Sequence, residues 1–206
     1  MQFTNDRILI FAKAPEPGRA KTRLIPALGA ARAAEFYGEL LESTVKRLSA
    51  AGISPLHCCC TPDTDHPVFQ RLAIDFGVKL EVQVGDDLGA RMEYAARKAL
   101  AEADSVTLIG GDCPLLEPLH LTQTLKWLQQ GEDAVLGPAE DGGYVLLGLK
   151  RVDRALFQQI PWGGERVLDL TRRRLKILGW SWRELELLWD LDRPEDLERY
   201  AALARV

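Results

Sequence analysis

The sequence predicts a three-layer α/β/α sandwich: a mostly parallel sheet with an antiparallel addition, formed by residues 1–206 as a single domain. Three observations predict it. Short apolar runs rich in β-branched residues alternate with segments of helical periodicity through the early chain, which implies parallel strands joined by right-handed crossovers. The later chain is more mixed and adds an antiparallel strand. No internal repeat, low-complexity tract or linker divides the 206 residues, a length that supports one sizeable core.

The elements follow in order. Arg7 to Ala12 is an apolar run that reads as the first buried strand. Residues Lys13 to Leu24 carry two prolines and a glycine and read as an irregular loop. Ala30 to Ala50 is rich in Ala and Leu at helical spacing, and Gly52 stops it. Leu56 to Thr61 is a second strand, Pro67 to Phe76 a short helix and Val78 to Val84 a third strand. The turn Gly85-Asp86-Asp87-Leu88-Gly89 leads into a helix running to about Ala103. Ser105 onward is the central strand, broken at Gly110-Gly111. Glu117 to Gln130 is helical, Ala134 to Leu136 and Gly143 to Leu149 are strands, and Arg166 to Lys176 is helical. Arg183 to Trp189 is a last strand and Pro194 to Ala204 a final helix.

Composition narrows the function. Hydrophobic residues make up 47% and charged residues 27%, as in ordinary globular proteins. A net charge of −4 argues against a general nucleic-acid or anionic-membrane surface. No apolar run reaches membrane length, and Met1 to Arg7 has no signal-peptide pattern. Cys58-Cys59-Cys60 lie in a strand, where alternation sends neighbours to opposite faces; small apolar filling and a reducing cytoplasm are expected. His57, His66 and His120 lie outside every motif and are expected to be structural or superficial.

Four stretches carry candidate chemistry. Directly past the central strand stands Asp112, at the carboxyl edge where open α/β sheets bind ligands. A turn or cap role explains it equally well in isolation. Lys13, Arg19, Lys21 and Arg23 concentrate positive charge around Gly18, in the loop at that same edge. Such a loop suits a polyphosphate; the plain alternative is a solvated basic loop. It is not a Walker P-loop, because two residues separate Gly18 from Lys21 and Lys13 occupies the first glycine position. Asp141-Gly142-Gly143-Tyr144 opens a strand, either as a hairpin turn or as backbone approached by a ligand. Asp141 is a candidate general base for an acceptor hydroxyl. Asp190 and Asp192 are two apart at a strand end, and Asp192 before Pro194-Glu195 also resembles a helix N-cap.

Lys-Ala-Pro-x-Pro-Gly-x-x-Lys-Thr-Arg-Leu, Gly-x-Asp-x-Pro, Asp-Gly-Gly-Tyr-x-Leu-x-Gly-Leu and Asp-x-Asp-x-Pro-Glu-Asp-Leu occur here in that order. Together with Gln83-x-Gly85-x-Asp87-Leu88-Gly89-x-Arg91-Met92 and Pro161-Trp162, they resemble the bacterial transferases associated with radical-SAM/selenodomain proteins. Those are glycosyltransferase-A-like proteins, labelled nucleotide-diphospho-sugar transferases. The resemblance runs from about Ile8 to Leu197; a more distant one reaches phospholactate guanylyltransferases and molybdenum-cofactor nucleotidyltransferases.

The resemblance implies a GT-A fold that binds a nucleotide or nucleotide-sugar donor with Mg²⁺ or Mn²⁺, and a small-molecule acceptor. Asp112 matches the metal-binding Asp of Gly-x-Asp-x-Pro and Asp192 a second metal-contacting position. Lys21 and Arg23 match the phosphate-contacting end of the loop, with Lys13, Gly18, Arg19, Gln83, Asp87, Gly89 and Arg91 on the nucleotide side. Asp112 and Asp141 are the implied catalytic carboxylates; Gly142, Gly143, Tyr144 and Trp162 are the implied acceptor side. Two departures stand out: Ala12-Lys13-Ala14 replaces the Ala-Gly-Gly start of nucleotidyltransferase loops, and Gly110 replaces the first Asp of the glycosyltransferase Asp-x-Asp. Glycosyl transfer is the expected reaction; nucleotidyl transfer and a non-catalytic nucleotide-binding module are the alternatives.

Overall fold

The computed structural model describes residues 1–203. Its seven-stranded sheet has the order β3-β2-β1-β4-β6-β5-β7. Strands β1 (Asp6–Lys13), β2 (Leu56–Thr61), β3 (Lys79–Val82) and β4 (Ser105–Gly110) are mutually parallel, with Ile8 opposite Leu56 on one side and Thr107 on the other. Alternation along β1 divides the core. Ile8, Ile10 and Ala12 pack on one face with Cys58 and Cys60, while Leu9 packs on the other with Cys59. All four cysteines are free and buried, as the strand reading expects of Cys58, Cys59 and Cys60.

Helices α2 (Ala30–Ala51), α3 (Pro67–Phe76) and α5 (Pro118–Gln129) cover the first face through Leu41, Phe69 and Leu125. Helices α4 (Leu88–Leu100) and α6 (Val167–Ile177) cover the second through Met92, Ala96 and Leu168. Three layers result, as the element order predicts. The antiparallel addition is not at an edge. β5 (Ala134–Pro138) turns through residues 139–143 into β6 (Tyr144–Leu149), which returns between β5 and β4 and runs antiparallel to both.

Several boundaries differ from the sequence reading. β3 is shorter, because Val78 turns into the core before the ladder begins. Helix α4 starts only at Leu88, where Asp87 caps it by accepting from the Ala90 amide at 2.8 Å. The last strand is β7 (Trp182–Glu184) alone. β7 pairs only with Ala134 to Leu136 of β5, and Pro138 further along has no N–H to offer. The chain past Glu184 keeps isolated bonds, from the Leu185 and Leu188 amides to the carbonyls of Leu136 and Pro138 and from the Glu140 amide to the Leu188 carbonyl. The first loop, expected to be irregular, ends in a 3-10 turn at Thr22–Leu24 and the short helix α1 (Ile25–Leu28). The final helix α7 is described over Pro194–Leu203, so the expected end at Ala204 lies outside the described residues.

The histidines are structural. His120 Nδ1 accepts from the Glu117 amide at the start of α5, and His66 Nδ1 accepts from the Val68 amide at the start of α3. His57 lies 3.2 Å from Glu81. None of the described helices is long and apolar enough to cross a membrane.

Candidate active site

The carboxyl ends of β1 and β4 lie side by side in the sheet, so the loop after β1 and Asp112 after β4 meet. Lys21 is the hinge of that meeting. Its backbone lies in the left-handed region at φ 45°, ψ 46°, a conformation rare outside glycine and often held in place at functional sites. Its ammonium lies 2.8 Å from Asp112 Oδ2 and 2.6 Å from Asp192 Oδ1. The Lys21 side chain is only 4% exposed, against 29% for Asp112 and 38% for Asp192. Burial works against the charge on Lys21, but Asp112 and then Asp192 outweigh it and hold the amine above the usual lysine range.

Asp192 also accepts from Arg23 Nη1 at 3.0 Å. Burial opposes its charge as well, yet Lys21 and Arg23 hold it below the usual carboxylate range. The N-cap reading of Asp192 is replaced: α7 starts at Pro194, the Asp192 oxygens go to Lys21 and Arg23, and Asp196 accepts the Asp192 and Arg193 amides at 2.9 and 2.7 Å. Asp190 stands nearby without such a cation of its own. Burial first, and Asp112 next, push its carboxyl up to about 8.

A cleft of three adjoining lobes that share lining residues surrounds these groups. The basic lobe, about 400 Å³, is lined by Lys13, Arg19, Lys21 and Arg23 together with Tyr37 and Asp112. The Tyr37 hydroxyl accepts from the Lys13 amide at 3.0 Å, which fixes the end of β1. A middle lobe of about 730 Å³ contains Asp141, Gly142, Asp190 and Asp192. The third lobe, about 240 Å³, is apolar and lies under Tyr144 and Trp162. Gly163 borders all three lobes.

The turn that presents Asp141 is built for close approach. Asp141 Oδ1 accepts from the Gly143 amide at 2.8 Å. Gly142 has φ +85°, and a Cβ there would overlap the backbone of Glu165. The Gly142 carbonyl accepts from the Leu168 amide, which pins the turn to the start of α6.

The structure thus gathers Lys13, Arg19, Lys21, Arg23, Asp112, Asp141, Asp192, Gly142, Gly143, Tyr144 and Trp162 around one cleft. Gly18, Gln83, Asp87, Gly89 and Arg91 are not among its lining residues. Four of those five support the walls. Gln83 Nε2 donates to the carbonyls of Ala12 and Cys59, tying β1 to β2. Asp87 caps α4, and Arg91 Nε donates to the Gly85 carbonyl at 2.9 Å. A Cβ at Gly89 would come within 2.6 Å of Trp162 Nε1, so the glycine lets the Trp162 ring seat on α4. Residues outside the expected set also line the cleft: Asp190, Tyr37, and Phe11 and Met92 of the apolar lobe. The spacing of Asp190 from Asp192 was the one available signal.

Among the described residues no three His, Cys, Asp or Glu side chains form a closed metal cage. The donor set nevertheless suits a hard cation completed by phosphate, which needs only one or two carboxylates. Asp112 and Asp192 already share one positive charge, the Lys21 ammonium.

Residues 44–164 match the family described as an uncharacterized protein conserved in bacteria (DUF2064). The chain is similar to a provisionally assigned nucleotide-diphospho-sugar transferase from Desulfovibrio desulfuricans G20, with 33% identity over 92% of this chain and 83% of that one and a TM-score of 0.84. It shares its fold with a CMP:2-keto-3-deoxy-manno-octonic acid synthetase complexed with CTP, at 15% identity, 98% and 99% coverage and a TM-score of 0.61. It shares it also with glucosyl-3-phosphoglycerate synthase from Mycobacterium tuberculosis, a complex with Mn²⁺, UDP and glucosyl-3-phosphoglycerate, at 16% identity, 98% and 76% coverage and a TM-score of 0.59. No curated protein matches the chain in sequence.

Proposed function

The chain belongs to the DUF2064 family, and from that premise we propose that it is a metal-dependent transferase that moves a glycosyl group from a nucleotide sugar to a small-molecule acceptor. The observation that carries this reading is the convergence of Asp112, Asp192, Lys21 and Arg23 at the carboxyl edge of the sheet, beside the basic lobe.

Lys21 and Arg23 bind the oxygens of the donor diphosphate, with Lys13 and Arg19 holding the rest of the chain of phosphates. Asp112 and Asp192 would hold Mg²⁺ or Mn²⁺ together with those oxygens. When bound, that cation neutralises charge developing on the leaving diphosphate. Lys21 then exchanges its carboxylate partners for phosphate, keeping a counter-charge throughout. Asp141, with one oxygen fixed by the Gly143 amide, accepts the acceptor proton through the other. Trp162, Tyr144 and the Gly163-Gly164 backbone exclude water from the apolar side.

The test is calorimetric titration of nucleoside diphosphates and nucleotide sugars with Mg²⁺ or Mn²⁺ into wild-type protein and Asp112→Asn. The variant is expected to fold and to lose the metal-dependent part of binding. Metal-dependent binding at wild-type strength in Asp112→Asn would remove the assignment. Pyrophosphate exchange with nucleoside triphosphates, which only nucleotidyl transfer supports, would replace glycosyl transfer with that reaction.

A further inference from the structure

The apolar and basic lobes of the cleft differ in the charged side chains that line them. Tyr144 and Trp162 meet edge to face, with ring centres 6.5 Å apart at 89°. With Phe11, Met92 and Leu108 they enclose a cavity of about 240 Å³, room for one compact ring or short chain. Besides Tyr144 and Trp162, whose indole N–H has no partner, the polar side chains lining it are the carboxyls of Asp141 and Asp190, and none of its described lining residues is Lys, Arg or His. The basic lobe, by contrast, brings together Lys13, Arg19, Lys21 and Arg23. Gly163 borders both, so one bound pair of substrates can span them.

We propose that the apolar lobe takes an acceptor with a compact apolar body that presents a hydroxyl or an amine to Asp141 and Asp190, and that it rejects acceptors carrying a carboxylate or phosphate. This deepens the transferase reading and rests on it for the word acceptor. An anionic group placed here would lose water and meet the Asp141 carboxyl with no cation in the lining to offset that loss, which acts against that class. A hydroxyl or ammonium placed there finds hydrogen-bond acceptors, and an ammonium also faces aromatic rings. The Asp141 oxygen not used by Gly143 has no partner among the described residues and is free for that contact. In the transfer, the lone pair of the acceptor hydroxyl, or of the amine in its neutral form, bonds to the anomeric carbon as the bond from that carbon to the diphosphate oxygen breaks. The electron pair leaves with the diphosphate, and the acceptor proton passes to Asp141.

Three probes of matched shape test this: 2-phenylethylamine, 2-phenylethanol and phenylacetate. Each is titrated into full-length protein near neutral pH without nucleotide and followed by ligand-observed saturation-transfer NMR. The amine and the alcohol are expected to bind roughly tenfold or more tightly than phenylacetate. Asp141→Asn is expected to narrow that gap at least about threefold, and Tyr144→Ala to weaken all probes together. Phenylacetate binding as tightly as the alcohol, an unchanged gap in Asp141→Asn, or no probe binding to wild type would overturn the proposal. Nucleotide binding is measured in a separate titration. If nucleotides fail to bind while the probe order holds, the transferase reading falls and the charge selection of the pocket stands.

Discussion

Lys21 Nζ lies 2.6 Å from Asp192 Oδ1, joining residues 171 positions apart in the sequence. Asp112 completes the group from the end of β4, so three chain segments share one buried positive charge. Lys21→Met is expected to destabilise the protein by about 2–3 kcal/mol, below the usual cost of breaking a fully buried pair because the carboxylates keep partial solvent access. Lys21→Arg should recover most of that loss. Urea denaturation measures both, and a Lys21→Met variant as stable as wild type would show that the pair is not a structural cross-link.

Arg23 binds the same carboxylate from the exposed side, with its own side chain 58% exposed. Its loss should barely affect folding, changing stability by less than about 1 kcal/mol. The affinity for a nucleoside diphosphate should fall by about 1–3 kcal/mol, the scale of a charge-assisted hydrogen bond. Calorimetry on Arg23→Ala separates the two effects. A large stability change with intact affinity would assign Arg23 to the scaffold instead.

Gly142 tests the turn that presents Asp141. Its φ of +85° and the Glu165 backbone in the Cβ direction leave no room for alanine. Gly142→Ala is expected to lower stability by about 1–3 kcal/mol and to displace Asp141. Thermal melting checks the first, and glycosyl-transfer assays the second. Wild-type melting would mean that the turn and the start of α6 are not held in contact.

His57 supplies the pH dependence. Burial lowers its pKa; Glu81 at 3.2 Å opposes that shift, while Lys79 and Arg7 reinforce it. Lys98, paired with Glu81, stands in the same cluster. As pH falls below about 6.5, the unfolded chain takes up a proton that the folded chain resists, so stability drops until the lower folded pKa is reached. His57→Gln should flatten this part of the stability profile and leave the profile above neutral pH unchanged. An equal slope in both proteins, followed by chemical denaturation from pH 7 to pH 5, would contradict it.

The sheet was legible because its signal is periodic: buried runs such as Ile8 to Ile10 and Val106 to Ile109 cannot be placed elsewhere without exposing apolar surface. The loop cations and Asp112 were legible because strand polarity alone fixes the edge at which they emerge. Side-chain direction was not. Gln83, Asp87 and Arg91 belong to a motif-like run, yet all three spend hydrogen bonds on backbone. Asp190 stood two residues from Asp192, but its burial depends on the apolar lobe, which is assembled from five segments besides its own. The short final strand was hidden for a local reason, since the sequence of Arg183 to Trp189 cannot announce that the strand it pairs with, over Ala134 to Leu136, runs into Pro138.

Leu24, Phe36 and Leu40 pack with Trp189 and Leu191 in one small cluster beside the Lys21–Asp192 pair. During synthesis, a chain released only as far as β6 already carries Lys21 and Asp112, but neither Trp189 to seat Leu24 nor Asp192 to receive the ammonium. The ribosome must deliver the polypeptide past residue 192 before the cleft can be completed.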